Sequence, residues 1–446
     1  MTGLGRCGRA DRHAPLRKET SMLLRRPPQR DAMAAPTKRR RRRWPACLLC
    51  ATGRDRGRTK PYLPYHDYRP DCYDEIFSRK VGEIEESFGS ILRSHACCEI
   101  TSQASPPTHF RLRCRFAITA DDRGRLRYAL YDEGQPKVTV SELPIASRQI
   151  NDLMPKLLAE VEKRQGILRD NLTSVHFLAT LAERDVVVTL IYGAPIDEAE
   201  WTRRAGDLSS ALGPGISLIG RSKGVKAVFG NDYVIESMDV EGFPETLSWK
   251  QVEGAFSNPN GYICKRTIEH ICGICRDIER DVGGRKDLLD LYCGNGNYTV
   301  PLSGHFSKIL SVELNKSLTE VAVENFRMNG VTNVRMVRSC CMRFSEAVVT
   351  GKGSGSVLEY YESCDFSAIL VDPPRAGLDP NTLALAARFD NVIYISCQQE
   401  TLRTCLGDLV KTHDVRSFRV FDHFPYTKYV ECVVHLRRRK TPLATP

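Results

Sequence analysis

Five short apolar runs recur at helix-length intervals between residues 288 and 396, and this alternation limits the possible folds more than any other feature. The runs lie at 288–292, 309–313, 334–337, 368–371 and 392–395, and two more follow at 415–421 and 430–436. Short buried strands that alternate with helices favour a parallel sheet covered on both faces. The sequence therefore predicts a doubly wound, Rossmann-like α/β domain over residues 251–446.

The region before this domain has a different pattern. Apolar residues at helical spacing predict helices over 74–94 and 198–211, and strand-like patterns occur at 110–118, 126–131 and 185–192. We expect an α+β domain over residues 61–250 that carries no catalytic motif of its own.

The N-terminal tail holds the whole excess of positive charge. Residues 1–50 contain 14 Lys and Arg against three acidic residues, an excess equal to the net charge of +11 of the full chain. Residues 1–60 have little apolar periodicity and are predicted to be a disordered basic tail. Such a tail fits a mitochondrial transit peptide, a nuclear address, a nucleic-acid arm or a solvated segment without function. We expect an intracellular protein, in the nucleus and cytoplasm or in an organelle.

The sequence excludes one class of protein and argues against two others. No run approaches about 18 consecutive apolar residues, which excludes a membrane-spanning helix. The 17 cysteines are scattered along the chain, which is typical of free thiols rather than of a disulfide scaffold. The pairs Cys47–Cys50 and Cys272–Cys275 have metal-ligand spacing, but they lie in the predicted tail and in a predicted helix. We expect no metal and no metal cluster.

A glycine turn follows the first predicted strand of the α/β domain. Gly294 and Gly296 follow Tyr292 within four residues, where glycine lets the backbone bend sharply toward a ligand. Glu313 ends the second strand, and a carboxylate there can accept both hydroxyls of a ribose. The pattern predicts either an adenosine cofactor, with Tyr292 lining its site, or an ordinary tight turn beside a solvated glutamate.

Further polar residues lie at the same edge of the predicted sheet. Asp372 and Arg375 follow the fourth strand, and Cys397 follows the fifth. Glu431 stands 34 residues beyond Cys397, at the start of another strand. A helix that starts at 398–401 is expected to lower the pKa of the Cys397 thiol and so favour the reactive thiolate. The alternatives are a structural Asp–Arg ion pair, a buried unreactive cysteine and a surface glutamate.

Ordered motifs in this domain resemble those of the RNA uracil-C5 methyltransferases, and specifically the tRNA (uracil-5-)-methyltransferases. The strongest matches are LDLYCGNGN at 289–297, VEL at 312–314, DPPRAGLD at 372–379, ISC at 395–397, ETL at 400–402, FDHFPYT at 421–427 and VEC at 430–432. Weaker similarity reaches upstream through QVEGAFSNPN at 251–260, SLIGRSK at 217–223 and THFRLRCRF at 108–116. The resemblance covers nearly everything except the tail.

This resemblance implies a Rossmann-like S-adenosylmethionine-dependent methyltransferase domain preceded by an RNA-binding domain. It makes Cys397 the nucleophile and Glu431 the proton acceptor. It also places positions that bind the cofactor S-adenosyl-L-methionine at Asn258, Tyr292, Asn297, Glu313 and Asp372, around the turn at Gly294. The implied reaction is methylation of C5 of the T-loop uridine of tRNA through a covalent bond from cysteine to C6.

Several positions depart from the family pattern. Asn258 stands where the family has Gln, and Arg115 stands where it has an acidic residue. Gln398 and Gln399 stand where the family has Asn-Pro, so the proline after the nucleophile is missing. Tyr429 replaces a His two places before the predicted base. These departures put full activity in doubt but leave the nucleophile and the base in place.

RNA contacts are predicted from basic residues in the upstream motifs and near the site. A nucleic-acid surface in the neutral body of the protein must be a local patch, unless these residues are solvated strand and loop faces. The target base must leave its stack to reach a pocket at the sheet edge. The same reaction on ribosomal RNA and a non-catalytic RNA chaperone remain alternatives, and we expect a monomer. The candidates are Arg111, Arg113, Arg115, Arg221, Lys223, Lys226 and Arg375.

Overall fold

Two large β-sheets, a two-stranded hairpin and their covering helices form the part of the chain that the computed structural model describes, residues 68–94, 99–130, 137–352 and 355–440. The predicted tail at 1–60 and the pair Cys47–Cys50 lie outside the described residues. The α-helices are α1 (Tyr73–Ser94), α2 (Arg148–Arg164), α3 (Glu198–Leu212), α4 (Gly261–Val282), α5 (Thr299–Leu302), α6 (Lys316–Met328), α7 (Cys341–Thr350), α8 (Ser356–Glu362), α9 (Pro380–Ala386) and α10 (Gln399–Leu409). The strands are β1 (Ile100–Gln103), β2 (Arg113–Ala120), β3 (Leu126–Leu130), β4 (Val138–Val140), β5 (Leu172–Ala179), β6 (Val186–Tyr192), β7 (Ile216–Ser222), β8 (Val225–Phe229), β9 (Tyr233–Met238), β10 (Leu247–Val252), β11 (Asp287–Leu291), β12 (Ile309–Glu313), β13 (Val334–Arg338), β14 (Phe366–Val371), β15 (Asn391–Ser396), β16 (His413–Phe421) and β17 (Glu431–Arg438).

The larger sheet confirms the predicted Rossmann-like fold. Its eight strands lie in the order β1-β16-β17-β15-β14-β11-β12-β13, and the five from β15 to β13 are parallel. Strand β17 runs antiparallel to both β15 and β16. The segment 422–430 between β16 and β17 is too short for a crossover helix, so the chain must turn back beside β16. As a result β17 begins at the edge where β15 ends.

Both faces of this sheet are buried, which explains why its strands are continuous apolar runs. In β11, Leu289 and Leu291 face the core formed with α1, α7, α9 and α10. Leu288 faces the opposite core, formed with α4, α6 and the hairpin of β9 and β10. Alternate side chains of a strand point to opposite faces, so the three leucines of this short strand contribute to two cores.

The second sheet has seven strands in the order β4-β3-β2-β5-β6-β7-β8, antiparallel except for the pair β6–β7. Helices α2 and α3 pack on one face, and their core includes Phe116, Phe177 and the fully buried Trp201. Trp201 lies directly on β7, where a Cβ added at Gly220 would come within 2.5 Å of its ring. This sheet is the α+β region that the sequence predicted.

Packing crosses the predicted boundary at residue 250. Strand β1 pairs in parallel with β16, and Ile84 and Phe88 of α1 lie in the core of the larger sheet. Trp249 of β10 belongs to the opposite core of the same sheet. The division into domains at 61–250 and 251–446 stays a prediction.

A buried ion pair joins α1 to the segment that follows β16. The Lys80 ammonium lies 2.5 Å from Oδ1 of Asp422, and the Tyr73 hydroxyl donates to Oδ2 over 2.9 Å. Lys80 is 6% exposed and Asp422 is fully buried. Burial lowers the pKa of Lys80, and the Asp422 carboxylate opposes that shift. This contact fixes the chain immediately before His423.

We predict that Lys80→Met lowers the free energy of unfolding by about 3–5 kcal/mol, because it leaves the buried Asp422 carboxylate without its cation. Denaturant unfolding measures the change. The matched control is Lys411→Met, which removes the exposed pair with Asp408 and should change stability little. Equal effects of the two substitutions would show that the buried pair is not important for stability.

Candidate active site

Strand register places the predicted nucleophile beside the predicted base. Ser396, the last residue of β15, pairs with Cys432 of β17. Cys397 therefore continues the antiparallel pair opposite Glu431, the first residue of β17. Asp372 directly follows β14, the neighbouring strand. The structure thus brings Cys397, Glu431 and Asp372 to one edge of the sheet.

The electrostatic environment of Cys397 corrects one expectation from the sequence. The pKa of its thiol is raised to about 11, first by burial and then by the charges of Glu431 and Asp372. Arg375 opposes this shift through its charge and a hydrogen bond. Helix α10 does begin at Gln399, but its N-terminus does not lower the pKa below the usual range. Loss of solvent and two nearby carboxylates outweigh the helix dipole.

Alkylation of the free protein tests this environment. Because the thiolate is the reacting form, we predict that modification of Cys397 by iodoacetamide still accelerates as the pH rises beyond about 10, where an ordinary thiol has levelled off. Arg375→Ala should slow the modification further, since it removes the cation that favours the thiolate. Mass spectrometry of the Cys397 peptide at a series of pH values gives the rates. A plateau below pH 8 would contradict the raised pKa.

Glu431 lies in a largely enclosed position with two polar neighbours. Its side chain is 13% exposed, and its Oε1 accepts a hydrogen bond from the Tyr298 hydroxyl over 3.4 Å and lies 3.2 Å from Nε2 of His423. Burial raises the pKa of Glu431, and burial together with the Glu431 charge raises the pKa of Asp372. A carboxyl group with a raised pKa is a stronger base when ionised. Glu431 can therefore accept a proton from a group held beside Cys397.

The glycine turn after β11 forms an open cradle. Tyr292, Gly294 and Gly296 all have positive φ, at 64°, 59° and 80°. A Cβ at Gly294 would meet no atom within 4 Å, whereas one at Gly296 would come within 2.8 Å of Phe326. Gly294 therefore faces open space while Gly296 packs tightly on α6. A non-glycine residue held at positive φ, as Tyr292 is, often marks a functional turn.

Glu313 closes one side of this cradle. Its Oε2 accepts the Gly294 N–H over 3.1 Å and its Oε1 accepts the Asn315 N–H over 2.7 Å. A carboxylate can accept more than two hydrogen bonds, so Glu313 retains the capacity to accept the hydroxyls of a ribose. An open turn bordered by this carboxylate fits an adenosine group. Asn297 lies farther along the turn, with Nδ2 3.5 Å from Sγ of Cys264 on α4.

Asn258 lies elsewhere in the site, against a residue to which the sequence analysis gave no role. Its Oδ1 accepts the Asn260 N–H over 3.1 Å and lies 3.0 Å from Nδ1 of His423. The side-chain oxygen is thus directed toward the surroundings of Glu431. Tyr298 and Thr267, which also contact this group, were likewise missed. Tyr298 directly follows the motif GNGN and His423 lies within FDHFP, but closeness to a motif does not indicate a contact, and Thr267 is near neither motif in the sequence.

The basic residues predicted to bind RNA have several different surroundings. The Arg113 guanidinium donates to the Ala255 carbonyl over 2.6 Å, and Arg221 forms an ion pair of 2.5 Å with Glu253. These two arginines brace the segment that carries Asn258. The Arg375 guanidinium lies 4.7 Å from the centre of the Tyr429 ring. Nε of Arg111 donates to the Arg113 carbonyl, and Lys223 is exposed in the turn between β7 and β8.

The cysteine pair on α4 is part of a hydrophobic core. Cys272 and Cys275 are fully buried there together with Cys264. Across the described residues, no cluster of three or more His, Cys, Asp or Glu has a geometry that could hold a metal ion. Within the same part of the chain, no helix is long and apolar enough to cross a membrane.

The fold and the site together define a class of protein. A parallel sheet with strand order β13-β12-β11-β14-β15, an antiparallel β17 and a glycine turn after β11 is the S-adenosylmethionine-dependent methyltransferase fold. The cysteine and carboxylate at its edge distinguish a member that can form a covalent bond to its substrate.

The family follows from sequence comparison. The family described as tRNA (Uracil-5-)-methyltransferase matches residues 73–439, and this chain belongs to it. A tRNA/tmRNA (uracil-C(5))-methyltransferase of Cellvibrio japonicus is 39% identical over 376 residues, which is 84% of this chain and 98% of that protein. The protein of the same description from Teredinibacter turnerae is also 39% identical, over 83% of this chain and 98% of its own length.

A solved structure has the same fold. The crystal structure of Pyrococcus abyssi tRNA (uracil-54, C5)-methyltransferase in complex with S-adenosyl-L-homocysteine aligns with a TM-score of 0.61. The alignment covers 82% of each chain at 19% identity. The likeness confirms the methyltransferase fold.

Proposed function

We propose that this protein transfers a methyl group from S-adenosyl-L-methionine to C5 of a uridine in tRNA, and that its target is the T-loop uridine. The observation that carries the proposal is the register of β15 and β17, which sets Cys397 beside Glu431 at the edge next to the glycine turn. Family membership and the printed activity of the relatives support the same reaction.

The cofactor supplies an electrophilic methyl group on sulfur. The protein supplies the rest of the chemistry. Addition of the Cys397 thiolate to C6 of the uracil moves the electron pair of the C5–C6 double bond onto C5, which makes C5 nucleophilic. After methylation, the Glu431 carboxylate removes the C5 proton. The electron pair of the C5–H bond then restores the double bond and expels Cys397 as thiolate.

The glycine turn and its neighbours are the proposed cofactor site. Glu313 would accept the ribose hydroxyls, Gly294 would let the cofactor approach the backbone, and Tyr292 and Asn297 would line its site. Asp372 follows β14, which lies between the strand that carries this turn and the strand that carries Cys397. It is the remaining residue of the proposed cofactor site. Asn258 differs, because the structure directs its amide toward His423.

RNA is proposed to bind around Arg115, on the face of the seven-stranded sheet opposite α2 and α3. Arg115 on β2 is exposed and pairs in register with His176 on β5. The pKa of His176 is lowered to about 4 by burial and then by Arg115, Arg113 and Arg221. The nearness of these three arginines to one histidine supports a local basic patch here, which an RNA backbone could contact. Phe256 lies three residues after Glu253, the ion-pair partner of Arg221. The Phe256 side chain is 69% exposed, so it offers a ring for base stacking.

Methylation of a tRNA transcript by the full chain tests this proposal. With methyl-labelled S-adenosylmethionine, we expect 5-methyluridine to form in the T loop and tritium to be released from a substrate labelled with tritium at C5. A transcript with cytidine at the T-loop position is the matched control and should accept no label. Equal methylation of both transcripts, or methylation of ribosomal RNA alone, would overturn the proposed target. Binding of tRNA without methylation would favour an RNA chaperone.

A further inference from the structure

His423 is a fully enclosed polar side chain that bridges three elements around the predicted base. It is 1% exposed and follows β16 by two residues. Its Nε2 lies 3.2 Å from Oε1 of Glu431 and 3.0 Å from the hydroxyl of Thr267 on α4. Its Nδ1 lies 3.0 Å from Oδ1 of Asn258. A buried imidazole with a partner on both nitrogens has a fixed orientation.

The hydrogen bonds of Asn258 determine the tautomer of this imidazole. Oδ1 of Asn258 already accepts the backbone N–H of Asn260, which identifies it as the oxygen of the amide. The partner of that oxygen, Nδ1 of His423, must therefore be the protonated nitrogen. In a neutral imidazole the second nitrogen, Nε2, then carries a lone pair.

His423 is neutral because it is enclosed. Burial lowers its pKa to about 3, and the neighbouring acid Asp422 is held by Lys80 and Tyr73. The Thr267 hydroxyl also lies 2.9 Å from the Ile263 carbonyl within α4, and its single hydrogen can satisfy only one of these acceptors. When it bonds to Ile263, the Nε2 lone pair of His423 is free to accept a hydrogen bond from Glu431.

We infer that His423 is a positioning residue for Glu431, and that its Nε2 accepts a hydrogen bond from the protonated carboxyl group formed when the C5 proton is removed. The inference rests on the proposed function. In this step the proton moves from C5 to Oε1 of Glu431 and the electrons of the C5–H bond expel Cys397. The new O–H then donates to Nε2, while Nδ1–H continues to donate to Asn258. His423 thus favours the protonated product of the base and makes Glu431 a more effective proton acceptor.

The same contact gives Asn258 a role in this chain. This is the position where the family pattern has Gln, which is one methylene longer. The shorter Asn258 places its amide oxygen at the imidazole and fixes the tautomer that the step requires. Asn258 therefore acts on the proton-removal side of the reaction, through His423.

Two substitutions at one position separate the functions of the two ring nitrogens. In His423→Asn the amide can occupy the place of Nδ1 and keep the contact with Asn258, but nothing replaces Nε2. In His423→Gln the longer side chain can put an amide oxygen near the place of Nε2. We expect His423→Asn to reduce turnover about 10- to 100-fold, the usual cost of losing a group that orients a catalytic residue. His423→Gln should recover most of that loss.

The reaction step affected is the decisive readout. With unmodified tRNA and methyl-labelled cofactor, His423→Asn should accumulate a labelled covalent protein–RNA adduct on a denaturing gel. Substrate deuterated at C5 should show a larger isotope effect on turnover than it does with wild type, since proton removal becomes rate-limiting. Adduct formation with RNA that contains 5-fluorouridine should keep its wild-type rate, which also shows that the variant is folded.

The outcomes distinguish this inference from the proposed function. If wild type forms no adduct with 5-fluorouridine RNA and releases no C5 tritium, the proposed function fails and the inference fails with it. If wild type does both, but His423→Asn slows adduct formation in parallel with turnover and leaves the isotope effect unchanged, only the inference is overturned. Failure of His423→Gln to recover turnover would also contradict a role for an acceptor at Nε2.

Discussion

Replacement of Cys397 by serine is expected to abolish methylation of tRNA and to prevent any covalent adduct with RNA that contains 5-fluorouridine. A serine hydroxyl has a far higher pKa than a thiol and does not add to C6, so C5 stays unactivated. Loss of a covalent nucleophile lowers turnover by at least about 10⁴-fold. The adduct is measured as a shifted protein band on a denaturing gel, and methylation as incorporated label.

The matched control is Cys364→Ser, which changes a half-buried cysteine outside the site. It should leave both the adduct and turnover unchanged. An adduct that persists in Cys397→Ser would assign the covalent bond to another residue and overturn the mechanism. Tritium release from C5 should disappear together with the adduct, because proton removal follows addition.

Replacement of Glu431 by glutamine is expected to stop the reaction at a later step. The amide has the shape of the carboxyl group but cannot accept the C5 proton, so the methylated adduct cannot collapse. Turnover should fall about 10²- to 10⁴-fold, the contribution of a general base. Unlike Cys397→Ser, this variant should accumulate a methyl-labelled adduct with unmodified tRNA.

Glu346→Gln, on the exposed side of α7, is the corresponding control and should have normal turnover. If Glu431→Gln loses adduct formation as well as turnover, then Glu431 acts before methyl transfer and not as the base.

The pH dependence of adduct breakdown gives a further check on the role of Glu431. Because burial raises the pKa of Glu431, the ionised base is lost as the pH falls through a range above that of an ordinary glutamate. Adduct breakdown should slow there.

Much of the α/β domain followed from the sequence, because strands buried on both faces need continuous apolar runs. The predicted strands at 309–313 and 392–395 match β12 and β15 to within a residue at each end. The antiparallel direction of β17 was not predicted, since direction depends on the length of a connection rather than on apolar pattern. The partners of β1 and of the β9–β10 hairpin were also missed, because long-range pairing has no local signal.

The positions of some site residues could also be predicted from the sequence, whereas their electrostatic properties could not. Cys397, Glu313 and Asp372 could be placed at one edge because residues at the carboxyl ends of parallel strands share that edge. Glu431 begins β17, and only the antiparallel direction of that strand in the folded chain brings it to the same edge. The pKa of Cys397 could not be predicted, because it depends on the desolvation and the two carboxylates that surround the thiol in the folded chain.

The amino-acid sequence alone determined the type of fold, the sheet edge that carries the chemistry and the resemblance to a methyltransferase family. It could do so because periodicity and motif order are properties of the sequence. Only the tertiary structure decided that His423 and Asn258 meet beside Glu431. These residues are 165 positions apart, and packing of α4 and the segment after β16 brings them within hydrogen-bond distance. A hydrogen bond is a relation in space, and no pattern along the chain encodes which distant donor will face which acceptor.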